Sequence, residues 1–207
     1  MTSPHPKPAM ARGAAARAAL AIAARSLCLA GVLLTPLLGA ASPPPLASLP
    51  TLQVTPYMGT WYQVAWFPNR FQKQCVSDTR AAYRLLDDGR VEVLNRCTLA
   101  DGRGDEALGI ARPTGRIEGD LLKPAQLEVS FLPAALRWLP FGWGRYWVID
   151  LAPDGRYALV SEPSREYLWV LARQPRLTPE DHAAIRATLI RLGFDLGRLE
   201  AHPHTGH

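Results

Sequence analysis

The sequence predicts an all-β protein: an eight-stranded antiparallel up-and-down β-barrel with one C-terminal α-helix packed on its outside. Three observations predict it. Between Thr60 and Arg173, short runs rich in Val, Tyr, Trp and Leu alternate with turn residues. Two of the gaps, Asp87-Asp88-Gly89 and Pro153-Asp154-Gly155, are tight-turn sequences with glycine where the backbone turns left-handed. After Thr178 the apolar period changes from strand-like to helical.

The elements follow in order. Thr60–Phe67 is the first run, and Ser77–Leu86 and Arg90–Cys97 flank the first tight turn. Leu108–Ala111 is short. In Gln126–Phe131, Leu127, Val129 and Phe131 alternate with Glu128 and Ser130. Tyr146–Leu151 and Arg156–Ser161 flank the second turn, and Glu166–Arg173 closes the set. The helix has a Thr178 cap, Pro179 in its first position, and Glu180 and Asp181 in its first turn. Ala184, Ile185, Leu189 and Leu192 form its apolar stripe, and Gly193 stops it.

An eight-stranded barrel is just wide enough to hold one small ligand. With Leu86 paired to Arg90, Leu85 faces Val91, Tyr83 faces Val93 and Ala81 faces Asn95. These odd positions form the more apolar face and are assigned inward. Glu92, Arg84 and Arg96 point out.

The chain has 207 residues and a formal charge of +5. Residues 1–41 hold Lys7, Arg12, Arg17 and Arg25 and no acid, which leaves 19 basic and 18 acidic residues beyond them. No clustered basic footprint for nucleic acid survives there. Residues 1–41 read as a signal peptide: a basic region, an uncharged run from Leu27 to Leu38, then Gly39-Ala40-Ala41 for cleavage. The alternative is an uncleaved anchor. Translation starts at Met1 or at Met10. Cys28 lies near the start of the apolar run, not after a small residue at its end, so the lipid-anchoring pattern is not met. Cleavage leaves Cys75 and Cys97, an even pair in an exported chain, which suggests a disulfide; the alternative is two buried thiols. Thr79 falls opposite Cys97, so residues 75–78 must bend back for the sulfurs to meet. Residues 42–56 read as an extended Pro-rich lead-in, 57–200 as the barrel domain and 201–207 as a disordered tail.

Gly59-Thr60-Trp61-Tyr62 resembles the Gly-x-Trp signature on the first strand of lipocalins. Arg173, ending Trp169-Val170-Leu171-Ala172-Arg173, resembles the arginine after their last strand. The resemblance runs from about Thr55 to Leu199 and is nearest to the bacterial outer-membrane lipocalins and apolipoprotein D. It implies that Arg173 packs over Trp61 and closes the barrel floor; a guanidinium stacks well on an indole. It also implies that Tyr83, Asn95 and Trp169 line a pocket. Strand parity turns Tyr83 and Asn95 inward independently. Tyr167 shares a face with Trp169 and Arg173, and alternation alone adds Val93, Val129, Phe131, Trp147 and Leu171.

The two Asp-Gly turns and the Trp61–Arg173 pair belong to the floor, so the loops after strands one, three, five and seven surround the mouth. The third of these, residues 132–143, is unusually apolar and carries Leu136, Trp138, Phe141 and Trp143. It reads as a lid or membrane-contacting loop, or as local core folded over the cavity. Arg137 and Arg145 near the rim are candidates to meet a carboxylate or phosphate.

The function that follows is binding and transport or storage of a fatty acid or lysophospholipid in the bacterial cell envelope, in the periplasm or at the outer membrane, with a role in membrane maintenance or stress. No cofactor, metal or catalytic residue is expected. No Gly-x-Ser-x-Gly elbow, Gly-rich phosphate loop or His-Glu-x-x-His motif occurs. A free Cys97 thiol would be the candidate in an enzyme reading. The other alternative is an interaction module that docks a protein through loop 132–143.

Overall fold

The computed structural model describes residues 43–205. The signal-peptide expectation and Cys28 lie outside them. The elements are β1 (Leu52–Gln53), α1 (Val54–Tyr57), β2 (Gly59–Trp66), β3 (Cys75–Leu85), β4 (Val91–Leu99), β5 (Gly104–Pro113), β6 (Arg116–Glu118), β7 (Leu121–Lys123), β8 (Gln126–Ser130), β9 (Gly144–Leu151), β10 (Tyr157–Ser161), β11 (Leu168–Ala172), α2 (Pro179–Arg191) and β12 (Glu200–Ala201).

Eight strands pair antiparallel in the order β2, β3, β4, β5, β8, β9, β10, β11, and β11 pairs back onto β2 to close the barrel. The expected register holds at the first tight turn: Leu85 pairs Val91, Tyr83 pairs Val93 and Ala81 pairs Asn95. One tripeptide, Asp-Gly-Arg, builds three of the tight turns. In each, a glycine adopts positive φ (Gly89 79°, Gly102 83°, Gly155 73°). The arginine amide donates to the preceding aspartate (Arg90 3.1 Å, Arg103 3.0 Å, Arg156 3.2 Å). The turn at Gly102 joins β4 to β5 at the mouth, and β5 runs six residues beyond the expected Leu108–Ala111.

The lead-in does not end as plain extended chain. Its last residues form β1 and α1, which join β6 and β7 beneath the floor: Leu52 pairs Leu122, and both are buried in the cluster that holds Trp61. Outside the barrel, α2 starts as expected, with the Thr178 hydroxyl accepting from the Asp181 amide at 3.2 Å. Ile185 and Leu189 bury against Leu159, Leu168 and Val170 on the outer faces of β10 and β11. The nearly buried Asp181 carboxylate accepts from Arg156 at 2.7 Å and ties the helix to the third turn.

The tail differs from expectation. Residues 201–205 are ordered, because β2 and β3 pair only below Tyr62–Arg80 and the tail fills the gap above. Ala201 pairs Ala65, and the His202 amide donates to Val64 O at 3.0 Å. On the other side, the Asp78 amide donates to Pro203 O at 2.9 Å. The Asp78 carboxylate accepts from the Thr205 amide at 2.8 Å and its hydroxyl at 2.9 Å. Burial works against the Asp78 charge, but hydrogen bonds from Ser77, Thr205 and Thr98 outweigh it and hold the pKa at about 2 against the usual 3.8. A depressed carboxylate stabilises the fold above its ordinary pKa and loses that contribution as pH falls towards the folded value. Asp78→Asn is therefore expected to cost about 1–2 kcal/mol at neutral pH. Asparagine also tolerates the φ of +56° at this position. Urea unfolding at a series of pH values should show wild type and variant converging between pH 4 and 2; a constant gap would refute the assignment.

Candidate functional site

The floor is built first. Gly59 sits at φ +89°, a backbone state that L side chains rarely adopt, and a Cβ there would approach Arg173 Nη1 at 3.6 Å. Trp61 is fully buried, and its indole N–H donates to Tyr57 O at 2.8 Å. The Arg173 guanidinium lies over the indole, 3.7 Å from Cζ to the ring centroid. It also donates to Thr60 O at 2.8 Å and Pro56 O at 2.6 Å, so its charge stays hydrogen-bonded while it seals the barrel.

Above this floor lies a cavity of about 770 Å³. Tyr83, Val93, Asn95, Val129, Phe131, Tyr167, Trp169 and Leu171 all line it. Trp147 does not. It packs with the cluster beneath α2, on the outer face. The reason is register: β8 places Leu127 opposite Tyr146 and Gln126 opposite Trp147. Cross-strand partners share a face. The inward positions of β9 are thus Gly144, Tyr146 and Val148.

Three tyrosines form the deepest polar feature of the cavity. Tyr146 Oη lies 2.7 Å from Tyr57 Oη and 3.1 Å from Tyr83 Oη. Tyr57 stacks on Tyr83 and packs against Trp61, with ring centroids 5.9 and 5.0 Å apart. Burial pushes the Tyr83 hydroxyl up to about 12 and those of Tyr57 and Tyr146 well above their usual 10. Sequence reasoning missed Tyr57 and Tyr146. Tyr57 ends α1, ahead of the first expected strand, and only the β8–β9 register turns Tyr146 inward.

A second polar row lies nearer the mouth. Trp169 Nε1 donates to Gln72 Oε1 at 2.9 Å, and Gln72 Nε2 donates to Gln63 Oε1 at 3.0 Å. The indole, a donor only, fixes the orientation of both amides. Gln72 belongs to the loop between β2 and β3, which the Cys75–Cys97 disulfide pins to the wall. Residues 75–78 do bend back: the β3–β4 register slips twice, placing Ser77 opposite Thr98 and Cys75 opposite Leu99. With both sulfurs bonded, Cys97 offers no thiol nucleophile.

Loop 132–143 folds into two 3-10 turns, Ala134–Leu136 and Pro140–Gly142. Trp143 Nε1 donates to Arg137 O at 2.7 Å, and the Arg112 guanidinium stacks 4.0 Å from the Trp143 ring. Leu132, Phe141 and Trp143 border the cavity. Yet Trp138 and Phe141 remain 77% and 80% exposed, and Leu136 is exposed too. The loop therefore does not bury them as local core. Arg145 falls between the inward Gly144 and Tyr146 and opposite the outward Glu128, so its side chain turns to the outer face.

Residues 52–204 match the family model described as a lipocalin-like domain. The chain belongs to the lipocalin family. This lipocalin is 38% identical over 143 residues to the outer membrane lipoprotein Blc of Escherichia coli K12, covering 69% of this chain and 73% of that one. It is 30% identical over 171 residues to apolipoprotein D of Mus musculus, covering 78% and 81%. Among solved structures it is similar in fold to the cockroach allergen Per a 4, with a TM-score of 0.58 at 16% identity, covering 77% and 92%. Lipocalins bind small hydrophobic ligands.

Proposed function

We propose that this lipocalin carries or stores one fatty acid or lysophospholipid in the bacterial cell envelope, after export, in support of membrane maintenance or stress. The observation that carries the reading is the cavity: about 770 Å³, walled mainly by apolar side chains, with the tyrosine cluster at its base and further polar groups, Asn95, Gln63 and Gln72 among them, on its walls. Ligand sites of this size and lining suit amphiphiles. Each buried methylene is worth about 0.8 kcal/mol, so a long acyl chain supplies ample drive before ordering costs. The likeness to an outer membrane lipoprotein supports the location. Among the described residues no helix is long and apolar enough to cross a membrane.

Calorimetric titration with hexadecanoic acid and with a lysophospholipid tests the cargo. Saturable one-to-one binding is expected. Ala107, opposite Asn95 on β5, faces the cavity. Ala107→Trp fills the space without displacing core and is expected to weaken binding at least about tenfold, or 1.4 kcal/mol. Unchanged affinity would place the ligand elsewhere.

The exposed Trp138 and Phe141 support a second element of the proposal: loop 132–143 touches a lipid surface while the mouth faces it. Vesicle flotation should recover wild type and lose most of a Trp138→Ser/Phe141→Ser double variant. Equal recovery of both would end the membrane role. If vesicles recover neither, protein docking through the same loop takes its place.

A further inference from the structure

The tyrosine cluster at the cavity base has a hydrogen-bond count that does not close. Three phenols carry three O–H protons, and the geometry uses two of them: Tyr146 with Tyr57 at 2.7 Å, and Tyr146 with Tyr83 at 3.1 Å. Whichever way the two bonds run, one O–H is left to donate. All three side chains line the cavity, and Tyr57 packs against Trp61 of the floor.

The same burial that keeps these phenols neutral penalises any anion placed beside them. A carboxylate or phosphate is therefore the wrong partner for the spare donor, and a neutral oxygen is the right one. The geometry points to a lipid that enters tail first and carries a neutral oxygen, a hydroxyl or carbonyl, at its buried end, received by the Tyr57–Tyr146–Tyr83 cluster. This rests on the cargo reading above and narrows it to a chain-end-oxygenated lipid. The charged head stays at the mouth.

The count also dictates how variants behave. Removing Tyr57 or Tyr83 leaves a two-membered chain that still has one spare donor. Removing Tyr146 breaks both bonds and leaves two. Only the triple substitution to phenylalanine removes every donor. It exchanges all partners for isosteric apolar rings, a change that is often nearly neutral for stability.

The test compares hexadecanoic acid with 16-hydroxyhexadecanoic acid by calorimetric titration. Wild type is expected to prefer the hydroxy acid by about fivefold, from one net hydrogen bond. The Tyr57→Phe/Tyr83→Phe/Tyr146→Phe variant is expected to prefer the plain acid by about tenfold, because the buried hydroxyl then has no partner. Tyr146→Phe should keep at least the wild-type preference. The same preference in wild type and triple variant, of either sign or none, leaves cargo binding standing and overturns the tyrosine assignment. Failure of both acids to bind wild type overturns the cargo reading and this inference together.

Discussion

Trp61→Ala is expected to destabilise the barrel by about 3–5 kcal/mol, the range for truncating a fully buried aromatic side chain. The side chain has no exposed surface, and it touches the floor from three sides. Tyr57 packs on its face, Arg173 covers it, and its N–H satisfies Tyr57 O. Truncation therefore opens a void, frees a carbonyl and leaves a half-buried guanidinium without its ring. Arg173→Ala is expected to cost less, about 2 kcal/mol, from the lost stacking and two carbonyl bonds. Their effects should not add. With Trp61 gone, removing Arg173 costs little more, and a double-mutant cycle in urea should report a coupling of at least about 1 kcal/mol. Independent effects would mean that the two residues do not form one floor.

Removing the Cys75–Cys97 disulfide is expected to cost about 3 kcal/mol. The bond closes a loop across a sequence separation of 22, and that is the chain-entropy value for a loop of this size. The cost should fall unevenly. Cys75 ends the loop that carries Phe71 and Gln72 to the cavity, and Gln72 links Trp169 to Gln63 there. A Cys75→Ser/Cys97→Ser variant should unfold at lower urea and exchange amide hydrogens faster through residues 71–78 than through the floor turns. A midpoint unchanged from the oxidised protein would contradict the role given to the bond.

Local signals were legible in the sequence. The Asp87–Gly89 turn fixed the β3–β4 register because glycine takes its left-handed position at no steric cost. Thr178, Pro179 and Gly193 bounded α2 by capping chemistry. Trp61 and Arg173, at opposite ends of the barrel's sequence, were paired through resemblance alone. What failed was non-local. Trp147 and Tyr146 cannot be told apart by alternation, because α2 covers the outer face and makes both faces of β9 apolar. The first half of β5 was hidden by Asp105 and Glu106; Glu106 points outward to Arg96 at 2.6 Å. Asp101-Gly102-Arg103 repeats the other two turns and would have marked its start. The tail reads as disorder by composition, yet Asp78, 127 residues before Thr205, holds it in the wall.

The hollow cup itself is tested most directly by a crystal structure with 16-bromohexadecanoic acid. If the Trp61–Arg173 pair closes the floor of a ligand-holding barrel, anomalous density should place the bromine inside, above Trp61 and near the Tyr146 hydroxyl. Bromine bound only on the outer surface, or a barrel interior filled by side chains from wall to wall, would contradict it.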